Sequence, residues 1–194
     1  MRKNIFQMVV ALFVILNMMA HVQAGPAIWI TNAEIDRLPM SGDAWDNLYT
    51  AAQKNTGNPD LGNQDEKIDT DTMAKALVYA RSGEPRYAAE VRNTLQRLVE
   101  KNPISRSRDW VALAALRALG SYTIAADLIN LQSYDPEFDQ AVFRPWLHAA
   151  RFADTENGRG SIVELQEQRP NNYGTHGSAS RIAMALYLND QDDL

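Results

Sequence analysis

Residues 108–131, "RDWVALAALRALGSYTIAADLINL", hold two helix-length segments that are apolar on nearly every side and are separated only by Gly120. A helix with one apolar stripe can lie on a surface, whereas one that is apolar all round has to be covered from more than one direction. Other helices must therefore flank this segment, and the sequence supplies them. "TNAEIDRL" opens with the capping box Thr31 and Glu34 and stops at Pro39, and a second helix is predicted within "GDAWDNLYTAAQK". The polar stretch "NTGNPDLGNQDEKID" reads as a loop, and a helix then runs from Asp69 or Thr70 to Gly83. Pro85 opens the next one, in which Ala88, Val91, Leu95, Leu98 and Val99 keep the three-and-four spacing of a half-buried helix. With so short a link, these two helices form an antiparallel pair.

Beyond the apolar segment, "DPEFDQAVFRPWLHAARFAD" is predicted to be a helix kinked or restarted at Pro145. The loop "TENGRGSIVELQEQRPNNYGTH" leads to a last helix, "SASRIAMALYLN". Alternating runs and hairpin turns are almost absent, so strands are not expected. The fold class that follows is all-α: antiparallel helix pairs around a buried inner set, either a solenoid or a closed toroid.

The 194 residues suit one domain, and 45% of them are hydrophobic, enough for a core. Residues 1–24 differ from the rest. Arg2 and Lys3 precede the apolar run "IFQMVVALFVILNMMA", and Val22 and Ala24 stand where a cleavage site needs small residues. This is the pattern of a secretory signal peptide, and the run is too short to span a bilayer. The expected product is an exported domain over 25–194, periplasmic or secreted, with no membrane anchor after cleavage. There is no cysteine, which excludes disulfides, thiolate chemistry and Cys-ligated zinc. Removing Arg2 and Lys3 from 19 basic and 24 acidic residues leaves a net charge near −7. Nucleic acid is a poor partner for such a surface, and an acidic ligand would need a locally basic site.

"RPNNYGTHGSASR", residues 169–181, fits neither core nor plain surface. It holds two adjacent Asn, one of the three His and an Arg at each end. Asn171 and Asn172 stand just ahead of the predicted last helix, where free backbone N–H groups and the helix dipole favour a carboxylate. His176 can accept a proton as a neutral imidazole, Arg181 can pair with a carboxylate or fix the Asn, and Tyr173 can stack on a sugar ring or donate its hydroxyl. The plainer alternative makes the Asn pair a cap, His176 the partner of a carbonyl, and Arg181 a structural ion-pair residue. His148 reads as a core or rim histidine, at least three of Trp29, Trp45, Trp110 and Trp146 as core, and "NDQDD" as a solvated helix end. No metal site and no cofactor are expected.

"RPNNYGTHGSASRIAMALYLND", with "RDWVALAALRALGSYTIAADLI" and "IWITNAEIDRLPMSGDAWDNLYTAA", resembles the N-terminal half of the alginate-lyase-like polysaccharide lyases of the α/α-toroid class. In the better-known members His directly follows the second Asn; here Tyr173, Gly174 and Thr175 intervene, as in a divergent branch. The resemblance implies an incomplete α/α toroid and β-elimination on a uronic-acid polysaccharide such as alginate. In that reaction the C5 proton is removed and the C4 oxygen leaves. An Asn amide or an Arg masks the carboxylate, and a neutral His or a Tyr takes the proton. Asn172 and His176 carry over as catalytic residues, and Asn171, Tyr173 and Arg181 as substrate-binding ones. In the family a catalytic Tyr and further Arg or His come from the other half. The alternative function is a non-catalytic helical module that binds an acidic glycan or a protein, and a toroid cut midway would expose the apolar flank of its last helix pair.

Overall fold

The structure, a computed structural model, describes residues 28–194. The expected signal peptide lies outside the described residues. Those residues form helices and no strand; a single isolated antiparallel bridge joins Thr155 and Gly160. The main helices are α1 (Asn32–Ile35), α2 (Asp43–Ala52), α3 (Ile68–Ser82), α4 (Pro85–Lys101), α5 (Ala112–Leu128), α6 (Arg144–Phe152), α7 (Ile162–Gln168) and α8 (Asn172–Leu188).

Local chemistry sets most of the ends. The Thr31 hydroxyl accepts from the Glu34 N–H, and the Glu34 carboxylate accepts from the Thr31 N–H at 2.9 Å, closing the predicted box on α1. Gly83 takes the left-handed conformation, φ 73°, and its N–H reaches the Tyr79 carbonyl at 2.8 Å, which stops α3. Pro85 then starts α4, so only Gly83 and Glu84 separate the two helices and α4 folds back on α3.

The all-round apolar segment is one helix, α5, not two: it runs straight through Gly120. It packs against α3 on one side and α8 on the other, while α4 and α7 also reach it. Leu116, Leu119, Tyr122, Ala125 and Ala126 are all buried, as a helix enclosed in this way requires. Around it α4 packs back on α3, and α6 and α7 pack on α8 and on each other.

Pro145 acts as the sequence implies, but one turn earlier. Lacking an N–H, it cannot bond back into the preceding turn, and the backbone widens into a π-turn over Asp139–Phe143 before α6 begins. The polar loop after α2 is pinned by the buried Asn102. Its Oδ1 accepts from the Leu61 N–H at 2.9 Å, and its Nδ2 donates to the Pro59 and Leu98 carbonyls at 3.0 and 2.9 Å. Its own carbonyl accepts from the Trp146 indole at 2.9 Å, which ties loop, α4 and α6 together.

Two expectations about single residues change. Trp110 and Trp146 are core, 6.1 Å apart, but Trp45 is half-buried against Tyr49 and Trp29 is 56% exposed. The "NDQDD" tail is not a merely solvated end. Asp190 and Asp193 both clamp the guanidinium of Arg151, which is 0% exposed, at 2.6 and 2.7 Å. A fully buried cation requires such partners, and the tail is where the chain provides them. On α8, Ile182 and Leu186 stay exposed one turn apart.

Candidate functional site

The Asn-rich stretch sits at the hinge of the α7–α8 hairpin. α7 starts with a second capping box, the Ser161 hydroxyl accepting from the Glu164 N–H and the Glu164 carboxylate accepting from the Ser161 N–H at 2.8 Å. Hydrogen bonding to that carboxylate, from the Ser161 N–H first and from its hydroxyl second, holds the Glu164 carboxyl below the usual range. The segment 162–168 was expected to be loop; the pattern Ser161-x-x-Glu164 ahead of Ile162 and Leu165 was the signal for a helix there.

Asn171 caps α8, its Oδ1 accepting from the Tyr173 N–H at 3.0 Å. The helix therefore begins at Asn172, not at Ser178, and the Asn-Tyr-Gly-Thr-His run is helical. Asn172 and His176 are one turn apart, a spacing that puts them on one face with their Cβ atoms about 5–6 Å apart. Asn172 is exposed and His176 half-buried, and neither side chain is hydrogen-bonded to another described residue.

The two glycines in the stretch explain how this helix start is held. A Cβ on Gly174 would lie 2.0 Å from the Arg169 carbonyl oxygen, and one on Gly177 would lie 3.0 Å from the Gln166 Cβ and 3.1 Å from Leu116 Cδ2. The first turns of α8 are pressed directly onto the end of α7 and the side of α5, an approach only glycine permits. Asn172 and His176 thus project from a tightly seated helix start.

The other predicted residues divide. Tyr173 stays beside the pair: it is half-buried, and its hydroxyl accepts from Arg159 Nη1 at 3.3 Å. Arg159 also lies over its ring, 5.6 Å from the centroid. Sequence reasoning passed over Arg159, because "TENGRGS" carries no signal beyond that of a turn. Arg181 is elsewhere. Five residues beyond His176, it is about 140° further round the helix. Its guanidinium is taken up by Asp193 at 2.7 Å, Glu167 at 3.0 Å and the Gln166 side chain at 2.7 Å. Its hydrogen bond to Asp193, ahead of that to Glu167, raises its pKa. This is the structural ion-pair role named above as its alternative. Arg169, at the other end of the stretch, is exposed beside the hairpin turn, with no carboxylate within ion-pair distance among the described residues. His148 is exposed on α6 with its ring 5.5 Å from that of Phe152.

Other concave surfaces lie at other helices. One is a polar cleft of about 350 Å³ between the end of α2 and α4. A second, about 410 Å³, lies between α4 and the π-turn. Among the described residues no group of three or more His, Asp and Glu is placed to hold a metal ion. None of their helices is long and apolar enough to cross a membrane.

No protein family, curated protein or solved structure matches this chain. What the helices and their packing define is the class, an all-α protein with a central buried helix.

Proposed function

We propose that the chain is a polysaccharide lyase, or part of one, that acts on a uronic-acid polymer by β-elimination, with Asn172 and His176 at its reacting centre and the helix pairs continuing the curvature of an α/α toroid. The observation that carries this reading is the pairing of an exposed amide and an accessible imidazole on one face of the α8 start. Asn172 Nδ2 donates to the uronate carboxylate, and the N-terminal end of the helix dipole reinforces it. Masking that charge acidifies the C5–H, the neutral imidazole of His176 takes the proton, and the electron pair forms the C4–C5 double bond as the C4–O bond breaks. The departing oxygen takes a proton from a separate acid. Asn171 is spent as the cap, so its backbone position, more than its amide, shapes the site. Tyr173 forms a neighbouring wall that suits a sugar ring, backed by Arg159, whose Nε is paired with Glu156 at 3.0 Å.

The export expected from residues 1–24 agrees with a polymeric substrate met outside the cytoplasm. The test is to incubate the full chain with alginate and other polyuronates and to follow the ultraviolet absorbance of the unsaturated product. Product formation that disappears in Asn172→Ala and His176→Ala supports the reading. Absence of product from every polymer, with glycan binding insensitive to His176→Ala, replaces it with the non-catalytic binding module.

A further inference from the structure

The polar cleft between α2 and α4 shares no residue and no helix with Asn172 and His176. Gln53, Lys54, Asn55, Thr56, Glu90, Asn93 and Arg97 line it.

Arg97 is fixed from behind by neutral oxygens. Its Nε donates to the Gly57 carbonyl at 2.6 Å, and its Nη2 to Thr94 Oγ1 at 3.0 Å and Thr56 Oγ1 at 3.3 Å. The two threonines are buried and 2.7 Å apart. Because the Thr94 hydroxyl donates to the Glu90 carbonyl at 2.8 Å, Thr56 must be the donor to Thr94, and both oxygens then present lone pairs to Arg97. The guanidinium is thus held in one orientation without a carboxylate; none lies within ion-pair distance of it among the described residues, and no acceptor there meets its Nη1.

The other charges in the lining are cancelled by groups outside it. Lys54 pairs with Asp71 at 3.1 Å, and Glu90 with the buried Lys75 at 2.5 Å. One uncompensated positive charge is left. Around it stand three primary amides: Asn55 has its oxygen engaged by the Gly57 N–H and its NH2 uncommitted, Gln53 has its NH2 engaged by the Tyr87 hydroxyl and its oxygen uncommitted, and Asn93 is uncommitted at both ends. A preoriented guanidinium edge beside amide donors and acceptors matches a carboxylate attached to hydroxylated carbons. A phosphate dianion would bring a second charge with no second free cation to meet it, and would face Glu90. The volume is in the range of small-ligand sites.

We propose that this cleft binds a small polyhydroxylated monocarboxylate, its carboxylate on Arg97 and its hydroxyls on Asn55, Asn93 and Gln53. The inference does not depend on the lyase reading.

Calorimetric titration of the full chain with D-gluconate, sorbitol and inorganic phosphate tests it. Gluconate binds, and sorbitol, which has the hydroxyls without the charge, binds at least about tenfold more weakly. Arg97→Gln and Asn93→Asp each weaken gluconate by about tenfold or more. Asn93→Asp puts a negative charge in the cleft without touching the Thr56–Thr94–Arg97 bonds, so it decides the matter if Arg97→Gln fails to fold. Asn172→Ala leaves gluconate binding unchanged, which separates this site from the lyase centre. The proposal is overturned if gluconate gives no binding, if sorbitol matches it, if phosphate binds more tightly, or if Asn93→Asp binds gluconate as well as the unaltered chain.

Discussion

The hydroxyl of Ser180 on α8 bridges two backbone groups of α5, accepting from the Gly120 N–H at 2.9 Å and donating to the Leu116 carbonyl at 2.7 Å. The two helices approach this closely because position 120 has no side chain: a Cβ there would lie 2.7 Å from Ser180 Oγ and 3.1 Å from its Cα. Gly120→Ala should therefore destabilise the protein by about 1–3 kcal/mol through overpacking. Ser180→Ala, which removes both hydrogen bonds but adds no clash, should cost less, about 1–2 kcal/mol. Urea denaturation gives both values, and an alanine at 120 that is milder than the one at 180 would contradict the packing argument.

Gly174→Ala should have the larger effect, because its 2.0 Å neighbour is a backbone oxygen, Arg169, that cannot rotate away. The cost is expected at about 3 kcal/mol or above, the upper end for overpacking. The start of α8 has to shift, so the imidazole resonances of His176 should move in the same variant. A melting curve and a His176 spectrum like those of the unaltered chain would show that the hairpin is less tightly seated.

Acid should weaken the tail clamp. The hydrogen bond from Arg151 holds the Asp190 carboxyl below its ordinary value of 3.8. A carboxyl depressed in this way adds stability above its ordinary pKa and loses it as pH falls through the lowered one. Asp190→Asn should thus be clearly less stable than the unaltered chain near about pH 7, with the gap closing as pH falls below the carboxyl's ordinary value. A gap independent of pH would remove the ion pair as its cause.

Asn102→Ala should release the polar loop. It leaves the Leu61 N–H without its 2.9 Å acceptor in a buried position, and an unsatisfied buried group costs about 1–3 kcal/mol. Hydrogen exchange should quicken first at Leu61, before α4 opens. Uniform exchange across α3 and α4 would argue against a local pin.

If the lyase reading holds, His176→Ala should lower turnover by about 10²–10⁴ and Asn172→Ala by about 10²–10³, on the polymer that the unaltered chain cleaves. Arg181→Gln should instead lower the melting temperature while leaving turnover in folded protein little changed, since its guanidinium is committed to Asp193 and Glu167. A turnover loss in Arg181→Gln as large as that in Asn172→Ala would return Arg181 to the site.

The helices were legible because their signals are local. Capping boxes, the Gly83–Pro85 punctuation and the three-and-four spacing in α4 lie within a few residues of the structure they cause, and the apolar circumference of α5 already required neighbours on both sides. Its continuity through Gly120 was not legible, because the purpose of that glycine is a serine 60 residues away. The candidate site divides in the same way. Asn172, Tyr173 and His176 are neighbours in the chain, and helix geometry alone brings Asn172 and His176 to one face. That Arg181 turns from that face to meet Asp193, that Arg159 arrives beside Tyr173, and that the acidic tail closes over Arg151 were decided by tertiary structure, because charge pairing acts through space between segments whose spacing in the chain carries no trace of it.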